Sequence, residues 1–181
     1  EKILDLTFLL LARIYIAKGD HKTVTITGSV GKTSVTQAVA TVLGEGYNVL
    51  ATKQNYNTHR GVALTVFDMA IPKSRKRWVI LLLTAFAKAL FTWPKFNMLV
   101  LELGSDKPGD LEKFAFLKPN IAVVTATTPE HMENFKTLDA VAKEELFISA
   151  FAQEVIVNID LVPKKFIEEY CSGETVVPYG K

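Results

Sequence analysis

The feature that most constrains this chain is a run in which an apolar strand, a glycine turn and a helix start follow one another without a break. Residues 23–34 read Thr-Val-Thr-Ile-Thr-Gly-Ser-Val-Gly-Lys-Thr-Ser. Glycines in such a turn let backbone N–H groups approach a phosphate chain, and a helix N-terminus favours negative charge. Lys32 is placed to neutralise β- and γ-phosphate oxygens, and the Thr33 hydroxyl to ligate Mg²⁺. The residues predicted to bind ATP and Mg²⁺ are Gly28, Ser29, Val30, Gly31, Lys32, Thr33 and Ser34.

The match to the general motif is incomplete, because the motif has a glycine where this chain has Ile26. The alternative is an ordinary glycine turn beside an exposed lysine. The strand before the turn and the helix after it favour the phosphate site.

Apolar runs alternate with helix-like segments along the rest of the chain, which predicts an α/β fold with a mostly parallel sheet flanked by helices. We expect strands at residues 23–27, 48–51, 98–103, 121–125 and 155–158. We expect helices over residues 138–151 and 160–170. The helix after the glycine turn is expected to have an apolar face made of Val35, Ala38, Val39, Val42 and Leu43.

Length and composition indicate a globular protein with 181 residues, 49% of them apolar and 22% charged. The net charge of +2 does not indicate a nucleic-acid partner, and we expect none. A single cysteine, Cys171, excludes an intramolecular disulfide and favours a cytoplasmic setting. Because the chain opens with Glu1, we expect sequence upstream of it. Residues 1–20 are expected to form an N-terminal packed or linker helix, and residues 21–181 the nucleotide-binding domain.

Residues 69–101 form an unusual segment that contains no acidic residue. Its basic residues are Lys73, Arg75, Lys76, Arg77, Lys88 and Lys95. Residues 78–93 are mostly apolar but fewer than the ~20 that a membrane helix needs. A basic cluster beside an apolar helix with terminal tryptophans is typical of contact with an anionic membrane surface. We therefore expect an insertion at about 69–97 that either contacts the inner membrane face through residues 73–95 or packs against the domain or a neighbour.

Further candidate residues lie near the ends of predicted strands. Glu102 puts a carboxylate at the carboxyl edge of the sheet, where ligands gather, and it is a candidate Mg²⁺ ligand or proton acceptor. His131 follows the strand at 121–125 and is expected at the same edge, where a neutral imidazole can bind a metal. Lys143, judged by its spacing alone, is predicted to be a solvated lysine paired with a nearby glutamate.

Several short segments, taken in their order and spacing, resemble the central domain of the Mur ligases. They are residues 27–33, 55–57, 61–65, 101–104, 108–110, 129–131 and 142–143. Among them, 55–57 and 101–110 resemble the MurF branch, whose members join D-alanyl-D-alanine to a UDP-muramoyl tripeptide. The resemblance covers about residues 23–160 and implies a P-loop NTPase-like Mur ligase central domain. The family's N-terminal UDP-binding domain and C-terminal domain are absent from the given chain, so we expect the chain alone to be a poor ligase.

The resemblance also implies a reaction. ATP phosphorylates a substrate carboxylate, and an incoming amine attacks the resulting acyl phosphate to form an amide. By resemblance, Lys32, Glu102, His131 and Lys143 act in catalysis. Thr33 and Glu102 hold one Mg²⁺, and His131 with a carbamylated Lys143 helps to hold a second.

Substrate contacts implied by the resemblance involve asparagines. Asn55 and Asn57 line the muramoyl-peptide side of the cleft, and Asn158 approaches the nucleotide base. The chain departs from the family pattern at residues 58–60, which read Thr-His-Arg, and at Ala126. These departures leave the exact substrate open.

Other functions remain open beside a MurF-like ligase. The first is a folylpolyglutamate-synthetase-like or other amide ligase, against which the paired asparagines argue. The second is a non-catalytic ATP-binding or membrane-attached partner, which the missing domains and the basic apolar insertion favour. A MurT-like amidotransferase is disfavoured because that branch typically carries a four-cysteine zinc site, whereas this chain has one cysteine.

Overall fold

A computed structural model describes residues 2–53, 55–171 and 176–181, without the side chains of Lys2 and Arg75. Glu1 and the Arg75 side chain, which enter the expectations above, lie outside the described residues. In chain order the elements are α1 (Lys2–Ile16), β1 (Lys22–Thr27), α2 (Lys32–Gly44), β2 (Val49–Ala51), α3 (His59–Val66), α4 (Arg75–Phe91), β3 (Met98–Glu102), a 3₁₀ helix (Leu111–Leu117), β4 (Ile121–Val124), α5 (Met132–Phe135), α6 (Leu138–Leu146), a 3₁₀ helix (Phe147–Ala150), β5 (Glu154–Asn158), α7 (Lys164–Tyr170) and β6 (Val176–Tyr179).

The described strands form one sheet in the order β2-β3-β1-β4-β5-β6, and every neighbouring pair is parallel. β1 lies inside the sheet, where Thr25 pairs with Leu101 of β3 and Ala122 of β4. Parallel strands end at the same edge, so the residues that follow β1, β3 and β4 come together there. This sheet confirms the predicted α/β fold.

The faces of the sheet are covered unequally. Because side chains alternate along a strand, Met98 and Val100 of β3 face α2, while Leu99 and Leu101 face the larger core. That core is built from α1, α3, α4, α6 and α7 together with the 3₁₀ helices. It buries most of the large apolar side chains.

α2 buries a narrower apolar row than its sequence predicts. Val35, Val39 and Leu43 pack against the sheet, as expected. Ala38 and Val42 are exposed, so their assignment to the buried face was wrong. Residues i, i+4 and i+8 follow one stripe along a helix, and Ala40 and the buried Thr36 lie beside that stripe.

α1 is an integral part of the larger core. It buries Phe8 and Ala12 completely and contacts both α3 and α4. Within the described ranges, no helix is long and apolar enough to cross a membrane.

Some elements differ from their predicted extent. The helix expected over 160–170 begins at Lys164, because Pro163 lacks an N–H and restricts the residue before it. The helix expected over 138–151 is α-helical only to Leu146 and continues as a 3₁₀ turn to Ala150. α3, α5 and β6 were not predicted.

Candidate active site

The predicted phosphate loop joins β1 to α2 in a tight turn. Gly28 and Gly31 have φ angles of 122° and 85°, in the region that favours glycine. A Cβ atom at Gly28 would lie 2.3 Å from Thr125 Oγ1 and 2.8 Å from the Ala126 nitrogen. The segment just after β4 therefore packs so closely on the loop that Gly28 has no room for a side chain.

The segment after β4 fixes the rest of the loop. The Ser29 N–H donates to the Ala126 carbonyl at 2.9 Å, and the Thr128 N–H donates to Ser29 Oγ at 2.9 Å. Thr125 Oγ1 donates to the Val30 carbonyl at 2.6 Å. These bonds hold the loop backbone in one shape, which pre-organises it for a ligand.

The start of α2 faces the same turn and attracts anions. Gly31 is the N-cap and provides no side-chain hydrogen bond. The first N–H groups of the helix therefore lack a side-chain acceptor at the cap and can bind an anion. Lys32 Nζ folds over the loop and donates to the carbonyls of Gly28 and Ser29. Ser34 is exposed in the first turn.

Glu102 ends β3 beside this turn and is only 3% exposed. Its Oε2 accepts a hydrogen bond from Thr33 Oγ1 at 2.8 Å, and its Oε1 accepts one from Asn57 Nδ2 at 2.9 Å. The Glu102 N–H donates to Thr52 Oγ1 at 3.0 Å. A carboxylate and a hydroxyl thus meet next to the phosphate loop, as the sequence predicted.

This pair of oxygen ligands fits Mg²⁺ bound together with a nucleotide. Mg²⁺ usually takes one or two protein oxygens and completes its shell with phosphates and water. In the part of the chain that the structure describes, no group of three or more His, Cys, Asp or Glu side chains is arranged to hold a metal. Thr33 and Glu102 supply one hydroxyl and one carboxylate beside the loop.

Glu145 of α6 is a buried acidic residue that sequence reasoning missed. Its carboxylate accepts hydrogen bonds from Thr27 Oγ1, from the Gly28 N–H at 2.7 Å and from Ser105 Oγ at 3.2 Å. Burial raises the pKa of the Glu145 carboxyl, although these bonds and the charge of Lys32 oppose the rise. Glu145 therefore ties α6 directly to the phosphate loop.

A cleft of about 510 Å³ opens in front of the loop. Lys32, Asn57 and His131 of the predicted site all line it. The other lining residues are Asp5, Leu6, Leu9, Thr58, His59, Gly104, Ser105, Asp106, Lys107, Asp110, Lys113 and Glu130. Side chains of both charges meet in this cleft.

Two histidines lie in the cleft wall. His131 has a left-handed backbone with φ of 50°, and its Nε2 lies 3.4 Å from Asp106 Oδ1 and 3.5 Å from Glu130 Oε1. The structure thus places His131 at the expected edge. His59, which the sequence did not place in the site, has its Nε2 3.1 Å from the Asp110 carbonyl oxygen.

Some predicted site residues do not line the cleft. Lys143 is exposed on α6, and residues two apart on a helix point about 200° apart, so Lys143 faces away from Glu145. Asn55 is exposed with φ of 65°. Asn158 ends β5, where its Oδ1 accepts the Asp160 N–H at 3.1 Å. The roles of Lys143, Asn55 and Asn158 stay predictions.

Comparison with known proteins links this site to one family. The model of the Mur ligase middle domain matches residues 26–181. A UDP-N-acetylmuramoyl-tripeptide–D-alanyl-D-alanine ligase from Buchnera aphidicola subsp. Baizongia pistaciae is 34% identical over 128 residues, which are 69% of this chain and 23% of the relative. The chain thus spans about a quarter of the length of this relative.

Solved structures agree in fold. A crystal structure of MurF from Acinetobacter baumannii aligns with a TM-score of 0.74 and 20% identity, covering 97% of this chain and 35% of that one. MurF from Thermotoga maritima in complex with ADP aligns with a TM-score of 0.71 and 21% identity. The alignment covers 97% of this chain and 36% of that one. Since the family model extends over most of the chain, from Ile26 in β1 to the last residue, the chain belongs to the Mur ligase middle domain family.

Proposed function

We propose that this chain is the ATP-binding part of a ligase that forms an amide bond in peptidoglycan precursor synthesis, adding D-alanyl-D-alanine to a UDP-muramoyl peptide. The observation that carries the proposal is the buried Glu102 carboxylate, hydrogen-bonded to Thr33 at the mouth of the phosphate loop. Family membership supports the ATP chemistry. The name of the Buchnera relative, together with the Asn55-Tyr-Asn57 segment, supports the choice of substrates.

The proposed reaction has two displacement steps. A substrate carboxylate oxygen attacks the γ-phosphorus of ATP, and the bond to the β-phosphate oxygen breaks with release of ADP. The amine of D-alanyl-D-alanine then attacks the carbonyl carbon of the acyl phosphate and loses a proton, and phosphate leaves. Loop N–H groups and Lys32 offset the negative charge on the phosphoryl group. Thr33 and Glu102 are the residues that would hold Mg²⁺, which supplies further neutralising charge when bound.

Roles for the remaining predicted residues rest on the family resemblance. We propose that His131 and a carbamylated Lys143 contribute to a second Mg²⁺ site, that Asn55 and Asn57 contact the muramoyl peptide, and that Asn158 contacts the base. Exposure of Lys143 leaves its amine open to CO₂, which carbamylation requires. In a longer polypeptide that includes the regions flanking this chain, Lys143→Ala is expected to lose turnover and to regain it when short carboxylic acids are added. Loss without such rescue contradicts the modification.

Titration of Mg-ATP tests the nucleotide site. Lys32→Ala is expected to weaken binding about tenfold or more, because a charged hydrogen bond to phosphate contributes roughly 1.5–3 kcal/mol. Lys164→Ala is the matched control, since Lys164 is a highly exposed lysine on α7. Equal affinities for the wild type and both variants contradict the phosphate-loop assignment.

Phosphate release tests the substrates in a longer polypeptide that includes the regions flanking this chain. Release is expected only when a UDP-muramoyl tripeptide and D-alanyl-D-alanine are both present. Release with a folate and glutamate instead supports the folylpolyglutamate-type alternative. ATP binding without release under any of these conditions supports a non-catalytic partner.

We also propose a cytoplasmic site of action, where Cys171 stays reduced and ATP is supplied. The partners of the proposed reaction are ATP, the UDP-muramoyl peptide and D-alanyl-D-alanine. Contact with the inner face of the membrane is a separate proposal that rests on different residues.

A further inference from the structure

α4 exposes many of its large apolar side chains, although Trp78, Leu81 and Leu82 pack against the core. Ala85 and Ala89 are completely buried against the core. Leu83 and Phe86 are 64% and 51% exposed, whereas an ordinary surface helix presents polar side chains to water. The exposed apolar residues of the helix are Val79, Ile80, Leu83, Phe86, Leu90 and Phe91. A row of this length on a folded protein marks an interaction surface.

α1 lies against α4 and also exposes large apolar side chains. Phe8 of α1 contacts Trp78 of α4 edge to face, with the ring centroids 6.0 Å apart. On its outer side α1 exposes Ile3, Leu10 and Ile14. The exposed residues of α1 and α4 are together called the α1–α4 surface.

The charge on α4 and on the residues that flank it has one sign. Between Asp68 and Glu102 the sequence contains no acidic residue. Lys76 and Arg77 are exposed in the first turn of α4, and Lys95 is exposed beyond its end. Apolar side chains flanked by basic ones match the chemistry of an anionic lipid surface.

Asp5, the acidic side chain on α1, does not add an unpaired negative charge to this surface. Asp5 forms an ion pair with Arg60, whose guanidinium stacks over Trp78 at 4.8 Å from the ring centroid. Its charge is therefore neutralised within the protein. At the opposite end of α4, Trp93 is exposed and Lys18 lies 5.1 Å from its ring centroid. Tryptophan and lysine together are typical of the membrane–water interface.

We propose that the α1–α4 surface binds the face of an anionic lipid bilayer, with α4 lying parallel to the membrane plane. The 17 residues of α4 make a helix of about 25 Å. A helix of that length lies along the boundary between head groups and acyl chains with its apolar side inward. The proposal is independent of the nucleotide chemistry.

Co-sedimentation with vesicles tests the proposal. We expect the 181-residue chain to bind vesicles of phosphatidylglycerol and phosphatidylcholine at low salt, and to bind pure phosphatidylcholine weakly. Leu83→Glu is expected to lower the partition about tenfold or more, because it places a charge in the apolar row. Lys76→Gln combined with Arg77→Gln is expected to lower it about 30-fold, since each basic residue near an anionic surface contributes about 1 kcal/mol.

Val42→Glu is the matched control for the apolar substitution. Val42 is 72% exposed on α2, which covers the other face of the sheet, so this variant is expected to bind vesicles like the wild type. Circular dichroism shows whether each variant is folded. Mg-ATP affinity is expected to be the same in the wild type and Leu83→Glu, so a failure of lipid binding is distinguished from a failure of nucleotide binding.

Several outcomes overturn the proposal. The first is no binding to the anionic vesicles. The second is a concentration-dependent dimer that Leu83→Glu dissociates, which assigns the surface to a second copy of the chain. The third is vesicle binding by this chain but not by a longer polypeptide with its flanking regions, which assigns the surface to a neighbouring domain.

Discussion

The carboxyl edge of the sheet and the α1–α4 surface depart from the usual distribution of side chains in opposite directions. At the edge, the carboxylates of Glu102 and Glu145 are buried and accept two and three hydrogen bonds, respectively. On α4, Leu83 and Phe86 are exposed while Ala85 is buried. Buried charge and exposed apolar area both cost free energy, so each region points to something that binds there.

The difference lies in how each region is connected to the core. Side chains at the edge hold the loop, β1, β3 and α6 together, so a change there is expected to alter folding and ligand binding at once. Side chains on the outer row of α4 touch little of the protein. A change there is expected to alter binding and leave folding nearly unchanged.

Gly28→Ala is expected to have the largest effect. The new Cβ would meet Thr125 and Ala126, and the φ of 122° is unfavourable for any residue with a side chain. Overpacking and the left-handed backbone together cost about 3 kcal/mol. We expect this loss in the free energy of unfolding measured with urea, together with loss of Mg-ATP binding.

Gly44→Ala is the control for that substitution. A Cβ atom at Gly44 meets nothing within 4 Å, and the residue ends α2. Alanine is expected to stabilise the helix there by up to about 1 kcal/mol. Equal stabilities of the two variants would show that the loop is looser than its contacts indicate.

Glu145→Gln changes how stability depends on pH. The pKa of the Glu145 carboxyl is raised in the folded protein above its ordinary value of 4.5, because the group is buried. Its contribution to stability is therefore fully present below about pH 4.5 and is lost as the pH rises through the folded pKa. Glutamine does not ionise, so the stability of the variant is not expected to fall in this way as the pH rises.

Urea unfolding from pH 4 to pH 8 measures the effect. The free energy of unfolding of the wild type, relative to that of Glu145→Gln, is expected to fall as the pH rises. Glu133→Gln is the control, because Glu133 is an exposed glutamate on α5. Parallel profiles for all three proteins contradict the assignment of the shift to Glu145.

The sequence predicted the edge better than it predicted the residues that support it. Strands β1, β3, β4 and β5 are apolar runs next to turn residues, and their parallel arrangement follows from the alternation with helices. The loop, Thr33 and Glu102 could be placed from this pattern alone. β6 could not, because Pro178 within Val176–Tyr179 argues against a strand and is tolerated only at a sheet edge.

Glu145 was missed because a glutamate in a lysine- and glutamate-rich helix usually faces solvent. Its position carried a signal, however. Glu145 follows Ala142 by three residues and Val141 by four, so it lies on the buried side of α6 with both. Burial of a charge there depends on donors from β1 and from Ser105, which are distant in the sequence and cannot be placed by local pattern.

The outer row of α4 shows another limit of sequence reasoning. The helix is apolar on nearly all sides, so no periodicity shows which side is buried. The side that packs holds Ala85 and Ala89, which are completely buried, together with the partly buried Trp78, Leu81 and Leu82. Leu83 and Phe86 are left outside, which the sequence alone does not show.

Glu102→Gln is expected to have a moderate effect at the edge. Glutamine keeps a carbonyl oxygen for the Thr33 hydroxyl but removes the negative charge. We expect about a tenfold loss of Mg-ATP affinity, equal to about 1.4 kcal/mol, with little dependence of ATP binding on Mg²⁺. Titration of ATP with and without Mg²⁺ measures both quantities, and an unchanged Mg²⁺ dependence contradicts the metal role of Glu102.

Leu83→Ala is expected to have the smallest effect on stability. The side chain is mostly in water in the folded protein, and leucine and alanine are both good helix formers. The free energy of unfolding is therefore expected to change by no more than about 0.5 kcal/mol.

A leucine-to-alanine substitution in the core shows how large the loss in the free energy of unfolding is when the side chain is packed. Leu64 of α3 is completely buried, and Leu64→Ala is expected to cost about 2–5 kcal/mol because it leaves a cavity. If urea unfolding showed that Leu83→Ala cost as much as Leu64→Ala, Leu83 would have to be packed in solution. The outer row of α4 would then be part of the core, and the contrast with the carboxyl edge would have no basis.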